Sequence, residues 1–344
     1  MPRRNQKKGS PPIATLVVAL VTALVLLGLP SSADLPADTG SDRFRDQIFE
    51  AERLHNLDRH RDLLTLLEKL EDDARSVLGR ALNQREQSGV LWRRARAEFI
   101  TLELRYRAGE LGSDAFAQRV DAVIELAEEA RKLHPEAAEP RFWHAAAVAL
   151  RAKEEGRLRA LRSMRDVRPL IGEALERDPE LADAHFLMSR LYRELPGRPL
   201  SWGSDRAAVS SARRAVELHE RARDRERSAG DESPVYHAFY LSLAESLVSR
   251  DWDARERRER REELLRDYRR AESEIERAAA YEATLDLQSI SDREEATRLV
   301  ERVLEQLSEV VSNRGGNGHR SSSKRSLRNE LDYRHAKELY ERLR

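Results

Sequence analysis

The sequence predicts an all-α fold built from a stack of helical hairpins, and three observations predict it. Apolar residues recur at intervals of three and four, the period of an amphipathic helix, most clearly between Leu181 and Leu195. Alternating β-branched runs, which are typical of strands, do not appear after the N-terminal segment. Charged residues make up 36% of the chain and aromatic residues 6%, which favours a highly solvated helical protein.

The chain is organised around the stretch 167–218, in which three helices are expected. A tight turn at Asp178-Pro179 joins the first two, and a loop rich in proline and glycine, 196–204, precedes the third. The middle helix carries large and small apolar residues on one side and charged residues on the other. This pattern indicates a helical hairpin, and it favours a binding or scaffolding protein over an enzyme.

Similar helices fill residues 42–312, which we interpret as one helical repeat domain. Ser88 is expected to cap the third helix, Pro169 to kink or restart the sixth, and Ser291 with Glu294 to start the last core helix as a capping box. The expected helices are 42–56, 58–82, 90–108, 113–133, 138–155, 157–177, 180–195, 204–229, one that opens at Ser233-Pro234, 253–283 and 291–311.

Two further segments follow this domain. Residues 313–326 are a low-complexity sequence rich in glycine and serine, expected to be a disordered linker. Residues 327–344 are expected to form an amphipathic C-terminal helix, and the sequence leaves open whether that helix docks on the domain.

The N-terminus has the form of an export signal. Four basic residues precede the uncharged apolar run 13–29, and a Ser-x-Ala site ends at Ala33. Residues 1–33 are therefore predicted to be either a cleaved signal peptide or a single-pass membrane anchor, followed by a spacer, 34–41. Either alternative places the rest of the chain outside the cytoplasm, in the periplasmic or extracytoplasmic space, with membrane association only through residues 13–29.

Composition excludes several classes of function. The chain has no cysteine, so disulfides, thiolate metal sites, a cysteine nucleophile and a lipid-modified N-terminal cysteine are ruled out. Of its 62 basic residues, four lie in residues 1–33, which leaves 58 basic against 62 acidic residues. A slightly acidic body argues against a nucleic-acid partner.

Spaced small residues and prolines recur along the chain. Ala127, Ala130 and Pro135 have the same spacing as Ile171, Ala174 and Pro179. This arrangement resembles the tetratricopeptide repeat, in which small residues mark the helix contacts, although the two prolines lie 44 residues apart instead of 34. The resemblance implies an irregular tetratricopeptide-like helical-hairpin solenoid.

A second resemblance covers about residues 127–311. Short motifs at 139–147 (EPRFWHAAA), 174–179 (ALERDP), 208–218 and 243–246 (LAES) are similar to those of the T-component family of TRAP transporters. That family comprises envelope-localised helical repeat proteins that associate with a periplasmic solute-binding protein. The chain departs from the family by lacking a lipidation cysteine and by its extended termini.

Candidate functional residues lie mainly in the first helices of the pairs. His144, His185 and His237 could approach one another on a concave groove, but no ligand spacing supports a metal site, and ordinary groove or core histidines are the alternative. Trp202 could present an aromatic surface from its loop or fill a gap between helices. The other candidates for partner binding are Trp143, Tyr192 and Tyr240.

No phosphate-binding glycine loop, zincin helix or nucleophile elbow is present, so no catalytic, cofactor or metal residue is predicted. The sequence therefore predicts a non-enzymatic, envelope-exposed scaffold that binds a protein or peptide in its concave groove. The alternative is a T-component-like accessory of a solute uptake system that binds a solute-binding protein or a small apolar ligand.

Overall fold

The computed structural model describes residues 39–152, 157–229, 234–287, 289–312 and 326–344. Within these ranges the chain forms α-helices and one 3₁₀ helix and contains no strand, which confirms the all-α prediction. The helices are α1 (Thr39–Asn56), α2 (His60–Asp72), α3 (Ala74–Leu78), α4 (Gln84–Arg107), α5 (Ser113–Leu133), α6 (Ala138–Arg151), α7 (Arg157–Arg177), α8 (Ala182–Glu194), α9 (Asp205–Ala229), α10 (His237–Arg250), α11 (Ala254–Arg270), α12 (Glu274–Ala280), the 3₁₀ helix Tyr281–Thr284, α13 (Asp292–Ser312) and α14 (Leu327–Leu343).

Most helices pack in successive pairs. Helices α4 and α5, α6 and α7, and α8 and α9 are in extensive contact, and α10 pairs with α13. The tightest pair is α8 with α9, where the small residues Ala208, Ala212 and Ala215 are buried and let the two backbones approach closely. Neighbouring pairs also touch, since α5 packs on α6 and α9 on α10. The described helices thus form a repeat-like array with one large main core, a separate apolar cluster under α1 to α3 and a small one between α11 and the 3₁₀ helix.

An insertion separates the two helices of the last pair. A single helix is predicted over 253–283, but the structure has α11, α12 and a 3₁₀ turn there. The helix ends because Ala271 adopts an extended conformation, and the Ser273 side chain caps the next helix by accepting from the amide of Glu276. Local capping outweighs the apolar period that continues across this break.

Two more predictions near the N-terminus are wrong at the level of element bounds. Helix α4 begins at Gln84 and not at Val90, because Asn83 and Glu86 form a capping box. Ser88 is therefore an interior residue, and its hydroxyl donates to the Ala130 carbonyl at 2.7 Å. The helix expected over 58–82 is broken at Asp73, whose side chain caps α3.

Helix α7 contains Pro169 within one continuous helix, so the predicted restart does not occur. None of the helices in the described ranges is both long and apolar enough to cross a bilayer. The predicted signal or anchor, 1–33, residues 34–38 of the spacer and residues 313–325 of the linker lie outside the described residues. The last part of the predicted spacer, 39–41, belongs to helix α1.

The C-terminal helix docks on the array. Helix α14 packs against α13 and also contacts α10 and α4. Its buried apolar residues belong to the main core: Leu331, Ala336, Leu339 and Leu343. Ser326 caps it by accepting from the Asn329 amide at 3.3 Å. The last helix therefore reaches from the final helix pair back to α4.

Candidate functional site

The candidate residues do not form one exposed surface. Trp143 is buried between the rings of Phe99 and Phe142, with centroid distances of 5.6 and 5.0 Å. His185 is also buried, and its Nε2 lies 2.9 Å from the Pro179 carbonyl. His144 is half-buried. Trp143 and His185 therefore contact residues of the interior and of the preceding turn, not a ligand-binding surface.

The remaining candidates near α10 are buried as well. The Tyr240 hydroxyl donates to Glu220 Oε1 at 3.1 Å, which anchors α10 to α9. The pKa of His237 is lowered to about 4 because burial disfavours the imidazolium. His237 is therefore a neutral buried histidine at pH 7, like His185, whose pKa burial also lowers to about 4.

Trp202 and Tyr192 pack on each other. Their rings meet edge to face at 5.3 Å, and the Arg168 guanidinium lies 5.7 Å from the Trp202 ring centroid. Trp202 is half-buried against the main core. These contacts fit the packing alternative for this residue, while Leu200 at the tip of the same loop is 72% exposed.

The loop that carries Trp202 turns back on itself at Gly203. A Cβ on this residue would lie 1.8 Å from the Leu195 carbonyl oxygen, so we expect Gly203→Ala to destabilise the protein by about 1–3 kcal/mol. Gly197→Ala is the matched control, because its nearest neighbour would be 3.5 Å away. Urea denaturation of both variants checks this, and equal stabilities would contradict it.

A polar contact that the sequence does not predict joins the two ends of the described chain. Arg328 of α14 is 4% exposed, and its Nη2 lies 2.7 Å from Asp58 Oδ1 and 3.4 Å from His60 Nε2. Its guanidinium lies 5.0 Å from the centroid of the Tyr236 ring. The Tyr236 hydroxyl in turn donates to Asn56 Oδ1 at 3.3 Å. We call Asp58, His60, Tyr236 and Arg328 the clasp.

Two further ion pairs follow the same side of α14. Asp332 Oδ1 lies 3.8 Å from Arg107 Nη1, and His335 Nε2 lies 2.9 Å from Glu245 Oε1. Arg193 approaches the other oxygen of Glu245 at 2.9 Å. Burial raises the pKa of Glu245, but the neighbouring Arg193 and His335 outweigh it and hold the pKa well below its usual range.

We call the surface that receives α14 the inner face, and define it by the residues that pair with the helix. Asp58, Arg107 and Glu245 present a negative, a positive and a negative side chain to it, and Tyr236 presents an aromatic ring. These residues come from α4, from α10 and the residue just before it, and from the corner between α1 and α2, while α13 packs along the apolar side of α14. It binds one amphipathic helix, whose apolar residues lie in the core and whose Arg328, Asp332 and His335 each face a group of opposite charge. The Asp332 contact is the weakest of the three, since burial raises the pKa of this acid despite the nearby arginines.

Helix α8 carries a buried acid, Asp183, that forms no ion pair among the described residues. Asp183 is 4% exposed, and its Oδ1 has no hydrogen-bond partner among the described residues. Burial raises its pKa to about 8, an effect that the attraction of Arg96 offsets only in part. Asp183 is thus a neutral acid at pH 7.

A second buried network holds the insertion in place. Arg250 donates to both oxygens of Asp292, at 2.7 and 2.8 Å, and also pairs with Glu282. Arg213 links Glu282 to Glu295. These residues connect α9, α10, the 3₁₀ helix and α13. Each of the three carboxylates, Glu282, Asp292 and Glu295, pairs with at least one arginine. The network is structural.

A cavity of about 250 Å³ beside Trp252 is lined by four arginines. Each of them already has a partner: Arg250 and Arg257 bind the buried acids, Arg258 donates to Ser289 Oγ, and Arg261 donates to the carbonyls of Ala283 and Leu285. This cavity therefore offers no unpaired cation to a ligand. No group of three or more metal-ligating side chains occurs within the described ranges.

Sequence reasoning missed the inner face because its pairs are far apart along the chain. The one available signal was the charge pattern of residues 327–344, where Arg328, Asp332 and His335 flank the apolar stripe. No known protein-family model and no curated protein matches this chain, and the two resemblances seen in its motifs stay predictions.

Proposed function

We propose that this protein is a non-enzymatic scaffold that binds an α-helical segment of a partner protein on its inner face. In this proposal, the helical array is an irregular tetratricopeptide-like solenoid. Residues 1–33 direct it to the cell envelope, either as a cleaved signal or as an anchor. Stacked helical hairpins suit such a role, because they hold an extended surface rigid for a bound helix or peptide.

The observation that carries the proposal is the docked position of α14. This helix follows a low-complexity segment and lies on the array through a few buried apolar residues, the arrangement of a helix bound in a groove. Leu331, Leu339 and Leu343 supply the apolar anchors, and the three ion pairs flank them. A surface that accepts this helix from its own chain has the shape and charge to accept one from another protein.

Two full-length variants and a labelled peptide of residues 326–344 test the proposal. Leu331→Asp with Leu339→Asp should release α14 from the inner face, since each change puts a charge into the core. We expect this variant to bind the peptide at least 100-fold more tightly than the wild-type chain, whose own helix competes at a high effective concentration. Fluorescence anisotropy measures the binding, and circular dichroism checks folding.

The matched control changes two exposed positions of the same helix, Arg334→Asp with Lys337→Asp. Its helix stays docked, so its affinity for the peptide should equal that of the wild type. Should the double leucine variant fail to fold, Arg328→Ala in the full chain weakens the clasp without introducing a new charge into the apolar core. A folded variant that has released α14 and still binds no peptide would refute the proposal.

A further inference from the structure

The charges of the inner face select a particular kind of helix. We infer that the partner segment is an amphipathic helix with a basic residue, an acidic residue four positions later and a basic residue or histidine seven positions later. This inference rests on the function proposed above. Helix α14 has this pattern at Arg328, Asp332 and His335, so it is the resident competitor for the site. The inference names both the partner chemistry and the segment that the partner displaces.

The first position of the pattern is set by the clasp. Asp58 lies 2.7 Å from Arg328, and no other described residue forms an ion pair with it except His60, at 3.6 Å. A helix with a neutral residue at this position would leave Asp58, whose side chain is 22% exposed, without a strong cationic partner. A planar guanidinium also stacks on the Tyr236 ring, so arginine fits better than lysine.

The second and third positions alternate in sign. Arg107 faces Asp332, and Glu245 faces His335. Positions four and seven residues apart lie on one side of a helix, so the negative, positive and negative groups of the inner face meet their complements in order. A helix with the opposite charges would place like charges together at three partly buried positions, and the inner face would reject it.

Packing adds a restriction on size. Ala336 is fully buried and lies between the anchors Leu331 and Leu339, so a larger side chain at the equivalent position has no space. The pattern is therefore a basic residue, leucine and an acid, then histidine or a base followed by alanine, and a final leucine. In this chain it reads R-x-x-L-D-x-x-H-A-x-x-L over residues 328–339.

Charge-altered peptides test the inference in the full-length Leu331→Asp, Leu339→Asp chain. The inverted peptide of residues 326–344 carries Arg328→Glu, Asp332→Arg and His335→Glu. The matched control peptide carries Arg334→Glu, Lys337→Glu and Glu341→Arg, three charge changes at exposed positions. We expect the inverted peptide to bind at least 100-fold more weakly than the wild-type peptide and the control peptide to bind within threefold of it.

Equal binding of the inverted and control peptides would overturn the inferred pattern while leaving helix binding itself intact. Absence of binding by every peptide would instead refute the proposed function. Sedimentation experiments provide a third outcome. If the wild-type chain forms dimers that are lost in the leucine variant, the inner face binds a second copy of this chain, and the inference of a different partner protein is overturned. Added wild-type peptide should also release α14 in the full chain, which a dye on Lys337→Cys reports, since the chain has no other cysteine.

Discussion

Asp292→Ala should destabilise the protein by about 3–5 kcal/mol, the cost of removing one partner from a buried ion pair. Asp292 is fully buried and accepts two hydrogen bonds from Arg250 and one from the Trp252 amide, at 3.0 Å. Arg250 is itself nearly inaccessible to water. The variant leaves this guanidinium with Glu282 alone, in a site that excludes solvent.

Urea denaturation followed by circular dichroism measures this effect. The matched control is Glu294→Ala, two residues away on the same helix, whose carboxylate pairs with Arg298 while both side chains are about half exposed. An exposed pair of this kind contributes less than about 1 kcal/mol. If both variants lost the same small amount of stability, the Arg250–Asp292 pair would not have the structural role described.

Acidification should destabilise the protein before its carboxylates titrate. Burial lowers the pKa of His185 and His237 to about 4 and that of His219 to about 3. Below pH 6.5 the unfolded chain binds protons at these three histidines while the folded chain does not, so stability is lost as the pH falls. Each histidine contributes a slope of about 1.4 kcal/mol per pH unit down to its folded pKa.

Asp183 changes the pH dependence of stability in the opposite direction. Its pKa of about 8 in the folded state lies above the unfolded value of 3.8, so its proton stabilises the folded state at low pH and this contribution is lost as the pH rises. Burial also lowers the pKa of the fully buried His55 well below its usual value, so the buried histidines outweigh this one acid. The free energy of unfolding should therefore fall by several kcal/mol between pH 6.5 and pH 4. Denaturation across this range measures it.

Two variants separate these contributions. His219→Gln should flatten the acid limb, whereas Asp183→Asn should steepen it and raise stability at pH 8, because the amide has no proton to lose. A stability that does not change between pH 6.5 and pH 4.5 would contradict the neutral, buried state of the histidines.

Much of the fold follows from local sequence. The bounds expected for 113–133 and 157–177 agree with those of α5 and α7, since each segment has a clear apolar stripe and ends before a proline turn or glycine break. The breaks at Asp73 and Ser273 escaped prediction because apolar residues keep their helical spacing across them. Only the local caps mark these ends, where Asp73 accepts from the Ser76 amide and Ser273 from the Glu276 amide.

The inner face was beyond sequence reasoning for a different reason. Each of its ion pairs joins residues from separate helices, and a chain with 36% charged residues offers many equally plausible partners. Burial decides between them, and burial is a property of the packed array. Trp143 and Tyr240 show the same difficulty, and both are buried. The sequence pattern of an aromatic residue in the first helix of a pair is the same whether the side chain lines a groove or fills the core.

The clasp also bears on how the chain unfolds. In an open repeat array each unit contacts only its neighbours, so the ends can fray independently of the middle. Here Arg328 and His60 meet although they are 268 residues apart in sequence, so the terminal helices depend on the whole array for their contacts. Loop-closure entropy grows only slowly with length, so a contact of this range costs little more than a shorter one. We therefore expect the two ends of the described chain to unfold together with each other instead of fraying independently.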